Sequence, residues 1–154
     1  MHWLLAALLL ANSPDVTRSV RLTTAAEQLL DFEKKMATSA PERIDDLLFG
    51  DVLALLDLAV NANPSNLHAR ALRSQVLLVR SFDGESRYDI CYILDAHADA
   101  EFIVTHASHA PAADVKIARD VLHGIELIPP SAIPDPPSVC DEDDEEHGTR
   151  TKIR

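Results

Sequence analysis

The chain has 154 residues, about the size of one compact domain, and leaves little room for a second. Only four glycines and 5 % aromatic residues, beside many alanines and leucines, favour helices over a many-stranded β architecture. The net charge of −11 disfavours nucleic-acid binding, because an acidic surface repels the phosphate backbone.

The first segment, residues 2–11, is almost entirely apolar (HWLLAALLLA). We expect it to be a packed first helix, because no Lys or Arg precedes it, no A-x-A cleavage site follows it, and a membrane span needs roughly 20 apolar residues. The alternatives are a secretion signal and a chain start inside a longer repeat array. We therefore predict no membrane partner and a cytoplasmic protein, with a secreted or periplasmic protein as the alternative if residues 1–11 are a signal segment.

Helix-start signals divide the next part of the chain. Ser, Asn and Asp cap helices, and Pro suits their first turn. Such signals stand at 12–15, 39–42, 63–66, 83–85 and 109–111. Together with the first segment they predict about six helices within residues 1–126.

Apolar residues between these signals recur at intervals of three and four, as on an amphipathic helix. The clearest stripes are Leu48, Val52, Leu55, Leu56, Ala59 and Val60, and then Ala69, Leu72, Val76 and Val79. Residues 87–108 are less uniform, because their ends carry β propensity. We predict one long helix there, with a short strand or a break near Asp95 as the alternative.

The end of the chain differs in composition. Five prolines follow Leu127, and residues 141–146 are all acidic, so we predict a helical domain at 1–128 and a disordered Pro-rich, acidic tail at 129–154. Neither cysteine belongs to a C-x-x-C pair. Cys91 is predicted to be a buried small hydrophobe and Cys140 to be exposed, which fits a reducing compartment.

Residues 63–78 (NPSNLHARALRSQVLL), followed by Ser81, Phe82 and Asp83, resemble the tetratricopeptide-repeat family. They are similar to the end of one repeat, its turn proline and the first helix of the next, with Ala69 and Ser74 at the small-residue positions. The match is partial, since the turn prolines are spaced more widely than the family's roughly 34-residue period. The resemblance implies antiparallel helical hairpins stacked as a short α-solenoid that holds a peptide or protein in a groove.

A basic stripe on this acidic chain is the candidate binding surface. Arg70, Arg73 and Arg80 share one face of a helix, and guanidinium groups suit carboxylates, so an acidic peptide is a candidate partner. We predict partner contacts at Arg70, Arg73, Leu77 and Arg80. Two alternatives stay open: the arginines pair with acids of neighbouring helices, or the acidic run 141–146 occupies them until a partner displaces it.

Signals for chemistry are weak. Helical spacing could bring together His97 with Glu101, Asp95 with Asp99, and His106 with His109, but no metal-site motif is present. There is no G-x-S-x-G and no phosphate-binding loop. We predict no metal, no cofactor and no catalytic residues.

These observations predict a non-enzymatic protein–protein interaction module, a scaffold or adaptor. The alternative is a structural or oligomerisation subunit whose apolar residues 3–10 pack against a second copy of the chain. A small helical metal carrier or enzyme is the third possibility.

Overall fold

A computed structural model of the chain describes residues 15–39, 46–82, 87–133 and Cys140. Within these ranges the chain forms five α-helices and no strand, apart from an isolated bridge between Phe82 and Tyr88. The helices are α1 (Val16–Ser39), α2 (Asp46–Ala62), α3 (Leu67–Ser81), α4 (Ile90–Thr105) and α5 (Ala112–Glu126), followed by a 3₁₀ turn (Pro130–Ala132). The predicted all-helical class is confirmed, whereas the predicted first helix at 2–11 lies outside the described residues.

No helix in the described ranges is both long enough and apolar enough to cross a membrane. The helix predicted over 87–108 is present as α4 and continues without a break through Asp95. Its start is fixed by Asp89, whose carboxylate accepts hydrogen bonds from the backbone N–H groups of Cys91 and Tyr92.

The start of α3 shows how local sequence and long-range packing agree. Asn66 caps the helix, because its side-chain oxygen accepts a hydrogen bond from the backbone N–H of Ala69 at 3.1 Å. Its amide nitrogen donates to the hydroxyls of Ser19 at 2.8 Å and Thr23 at 3.1 Å on α1. Ser19 in turn donates to the backbone carbonyl of Ala59 on α2 at 2.7 Å. These bonds connect α1, α2 and the turn that begins α3.

Two apolar cores hold the helices together. The first lies among α1, α2 and α3, around Ala26, Val52, Leu56, Ala59 and Val76. The second lies among α3, α4 and α5, around Ala71, Leu77, Ala96, Ala100, Ile103, Ala118 and Val121. Because α3 contributes to both cores, it contacts each of the other four helices.

Helices α3 and α5 run in the same direction. Near their starts, His68 of α3 hydrogen-bonds Asp114 of α5, and near their ends Leu78 meets Gly124. The approach at Gly124 is close, since a β-carbon built there would lie 3.0 Å from Cδ2 of Leu78. The missing side chain at position 124 lets the two helices approach at this point.

The prediction of a buried Cys91 and an exposed Cys140 in separate roles is wrong, because the two are paired and both are half-buried. Cys91, in the first turn of α4, forms a disulfide with Cys140, and their Cα atoms are 5.4 Å apart. The chain after α5 also contacts the segment just before α4, because the backbone N–H of Tyr88 donates to the carbonyl of Ala132 at 3.0 Å. Pairing across 49 positions depends on how the helices pack, so the local apolar context of Cys91 could not reveal it. Of the predicted tail, residues 129–133 and Cys140 are described, and the rest lies outside.

Candidate functional site

The four residues predicted to contact a partner share one face of α3, and that face is turned towards α2 and α4. Arg70 donates to Oδ1 of Asp99 on α4. Arg73 binds both oxygens of Asp99, through Nε at 2.6 Å and through Nη2 at 2.9 Å. A further Arg73 nitrogen donates to Asp57 of α2 at 2.9 Å. We call Arg70, Arg73, Asp57 and Asp99 the Asp99 cluster.

Burial makes Asp99 and its two arginines an internal charge network, with Asp57 at its more exposed edge. Asp99 is only 1 % exposed, and two guanidinium groups surround its carboxylate. Burial lowers the pKa of Arg73, but the hydrogen bonds that it donates to Asp99 and the charges of Asp99 and Asp57 together outweigh this effect and raise the pKa above its ordinary value. At Asp57, burial raises the pKa of the carboxyl above its ordinary value, although Arg73 opposes the change. For Arg70 and Arg73, this arrangement matches the alternative in which the arginines pair with acids of neighbouring helices.

The other two predicted contact residues are also engaged. Leu77 is buried in the core shared by α3, α4 and α5. The guanidinium of Arg80 lies over the ring of Tyr92, 5.9 Å from its centroid. Arg70 additionally stacks on the ring of Phe102, at 4.3 Å. Partner contact at the four positions stays a prediction, and these contacts show that each already holds α3 against α4.

A second polar cluster, which we call the His68 bridge, lies on the other side of α3. Nδ1 of His68 is 2.7 Å from Oδ1 of Asp114 on α5, and Nε2 is 2.9 Å from Oε1 of Glu27 on α1. One imidazole ring therefore links three helices. The His68 and Glu27 side chains are 40 % and 44 % exposed, whereas that of Asp114 is 2 % exposed.

The geometry of the His68 bridge fits a ring that carries two protons between two ionised carboxylates. A carboxylate accepts hydrogen bonds and cannot donate them, so both ring nitrogens must carry a proton to bond their neighbours. Burial lowers the pKa of His68, but the hydrogen bonds to Asp114 and Glu27 outweigh it and raise the net pKa above its ordinary value. Oδ2 of Asp114 is buried and has no hydrogen-bond partner in the described part of the chain.

The same side of α3 carries exposed residues. His68, Gln75 and Val79 are spaced by seven and four positions, which places them on one helix face, roughly opposite Arg70 and Leu77. Gln75 is exposed, and Val79 is 54 % exposed although it is apolar. We call His68, Gln75 and Val79 the α3 outer face. Phe82, also exposed, follows it at the end of α3.

The histidine pairs considered for metal binding do not form a metal centre. His97 and Glu101 are 3.8 Å apart and exposed, as a surface ion pair. Asp99 is buried and its carboxylate binds Arg70 and Arg73, whereas Asp95 is exposed. Nδ1 of His106 pairs with the Phe102 carbonyl oxygen, and Nδ1 of His109 with the Ser108 hydroxyl. Across residues 15–39, 46–82 and 87–133, no group of three or more His, Cys, Asp or Glu side chains is placed to hold a metal ion.

Sequence reasoning found the arginine face and missed the His68 bridge. The bridge joins residues 41 and 46 positions apart, so no local spacing connects them. The one available signal was Asp114, an acid in the first turn of α5, which the positive end of the helix dipole favours on its own. Because the helix dipole alone accounts for an acid at this position, Asp114 does not indicate that a histidine binds it.

Comparisons with known proteins found no matching family model, no matching curated protein and no matching solved structure.

Proposed function

We propose that the protein is a small helical scaffold that binds an extended segment of another protein along the α3 outer face. The observation that carries the proposal is the division of α3 into two faces. One face is used internally by the Asp99 cluster and Leu77, and the other presents Gln75, Val79 and half-exposed His68 to solvent. We further propose a short stack of helical hairpins in the manner of a tetratricopeptide solenoid, supported by the contacts of α3 with both α1 and α5.

The chemistry of this surface favours a partner that is basic and apolar. An acidic peptide would have to compete with Asp99 for Arg70 and Arg73, whose guanidinium groups it already binds. At the His68 end of the α3 outer face lies the Glu27 carboxylate of α1, which is bonded to His68, and at the other end lies exposed Val79. Val79 lies 11 positions after His68, about 16 Å along the helix, a length that about five extended residues cover. We infer a segment with a Lys or Arg roughly five residues from an apolar side chain.

Affinity capture with matched variants tests this proposal. Val79→Asp places a charge on the α3 outer face, and Leu94→Asp makes the same change at a similarly exposed residue of α4. Circular dichroism first checks that both variants fold. We expect a partner that is captured by the wild type and by Leu94→Asp and is lost with Val79→Asp, and then binds again as a purified protein.

The proposal fails if Val79→Asp retains every partner of the wild type. A Glu27→Lys variant tests the charge of the partner, because it places a positive group where the proposed Lys or Arg would bind. Affinity that is unchanged or increased with Glu27→Lys would rule out a basic partner.

The disulfide bears on the compartment. A bond between Cys91 and Cys140 persists in oxidising environments and is rare in the cytosol. We therefore propose the secreted or periplasmic alternative over the predicted cytoplasmic location. Alkylation of the protein in acid-quenched cells, before and after reduction, measures how many cysteines are free and how many are disulfide-bonded. Full alkylation without reduction would contradict this location.

A further inference from the structure

The His68 bridge contains an imidazole whose two nitrogens face two carboxylates of different mobility. Glu27 is 44 % exposed, so its side chain can turn into solvent, whereas Asp114 is buried and can move away only if α5 moves. In the described part of the chain, the charged groups that face the ring are these two, one from α1 and one from α5. The two contacts will therefore respond differently when the ring loses a proton.

A neutral imidazole has one N–H and one lone pair. Deprotonation must leave one ring nitrogen with its lone pair towards a carboxylate oxygen, which is repulsive. Keeping the proton on Nδ1 preserves the bond to Asp114, whose charge is buried and whose Oδ2 already has no partner within the described residues. The proton is therefore lost from Nε2, and the contact with Glu27 breaks.

We propose that the His68 bridge is a proton-operated gate on the α3 outer face: protonated His68 occupies Glu27, and its deprotonation at Nε2 releases that carboxylate to a basic group of a partner. The gate itself concerns the free protein. Its effect on binding rests on the proposed function, because Glu27 is the group assigned there to the partner's Lys or Arg.

The sign of the pH dependence follows from the proton. A histidine with a raised folded-state pKa stabilises the fold below its unfolded value, about 6.5, and this contribution is lost as pH rises through the folded value. The same rise in pH frees Glu27. As pH rises through the folded-state pKa of His68, partner binding should therefore strengthen, while the contact of His68 with Glu27 that joins α3 to α1 weakens. An exposed ion pair of this kind contributes a roughly two- to fivefold change in affinity.

Nitrogen-15 NMR of histidine-labelled wild-type protein, titrated from acid to alkaline pH, tests the gate without any variant. We expect His68 to titrate above the ordinary histidine range and to become the Nδ1–H tautomer, opposite to the Nε2–H form that predominates in free histidine. A Glu27→Gln variant, which keeps the side-chain shape, should lower the titration midpoint of His68 and remove the pH dependence of partner binding.

The outcomes separate the two proposals. An Nε2–H tautomer, or a His68 midpoint at or below the ordinary value, would overturn the gate and leave the α3 outer face untouched as a binding surface. Equal pH dependence of partner binding in wild type and Glu27→Gln would also overturn the gate. Failure of the Val79→Asp capture experiment would instead remove the binding surface, while the NMR result for the free protein would stand.

Discussion

Replacing Asp99 with asparagine removes the negative charge between the guanidinium groups of Arg70 and Arg73. The variant keeps the shape of the side chain, but its amide presents one oxygen and one N–H group where two carboxylate oxygens accepted three hydrogen bonds. Breaking a buried ion pair from one side costs about 3–5 kcal/mol, because the remaining charge is left uncompensated. The two arginine side chains are 17 % and 19 % exposed, so water can solvate them in part. We therefore expect a loss of about 2–4 kcal/mol.

Urea unfolding followed by far-ultraviolet circular dichroism, with the disulfide intact, measures this loss. A domain of this size has a total unfolding free energy of about 5–15 kcal/mol, so the change should be plain in the midpoint. Asp57→Asn is the matched control, because the same substitution is made at a carboxylate that is 49 % exposed and bonds only Arg73 among the described residues. It should cost at most about 1 kcal/mol. Equal losses in the two variants would refute the assignment of Asp99 as the centre of the cluster.

Three further changes test separate parts of the structure by the same assay. Gly50→Ala in α2 should stabilise the protein by about 0.5–1 kcal/mol, because a β-carbon there meets no atom within 4 Å and Ala favours helix. Gly124→Val should destabilise the protein by about 1–3 kcal/mol through overpacking against Leu78, and adding Leu78→Ala should restore part of the loss. If the free-energy changes of the two substitutions simply add, residues 78 and 124 are not in contact. Replacing Cys91 and Cys140 together by serine should cost up to about 4 kcal/mol, the chain entropy of a loop of roughly 50 residues, and an unchanged midpoint would contradict the disulfide.

Capping residues and apolar stripes in the sequence predicted the start of α3 and the buried side of α2. The Asn66 cap and the proline before it fixed the start of α3, and the apolar stripe of α2 predicted its buried side at Val52, Leu56 and Ala59. Residues 87–108 were harder, because the β propensity of Tyr88 and its neighbours competed with helix. Within this range only Tyr88 forms a β-bridge, with Phe82, and α4 begins two residues later. Packing on α3 and α5 decided the rest in favour of helix.

The candidate sites were predictable only in part, for a physical reason. Helical spacing shows that Arg70 and Arg73 share a face, but it does not show which way that face is turned. For their partner Asp99, helical spacing indicates only that it could share one face of α4 with Asp95. Long-range pairs such as His68 with Glu27 arise when helices pack, and they leave no periodic trace in the sequence.

The sulfur bond between Cys91 and Cys140 also determines how the molecule would respond to mechanical force. When the molecule is stretched between its start and a point beyond residue 140, the force passes through the disulfide to the first turn of α4. The chain between Cys91 and Cys140 then carries no tension. The 49 intervening peptide units, about 170 Å of contour length when extended, would stay hidden in a force–extension trace until the bond is reduced. Under load, α5 would therefore be shielded, and the helices that precede α4 would yield first.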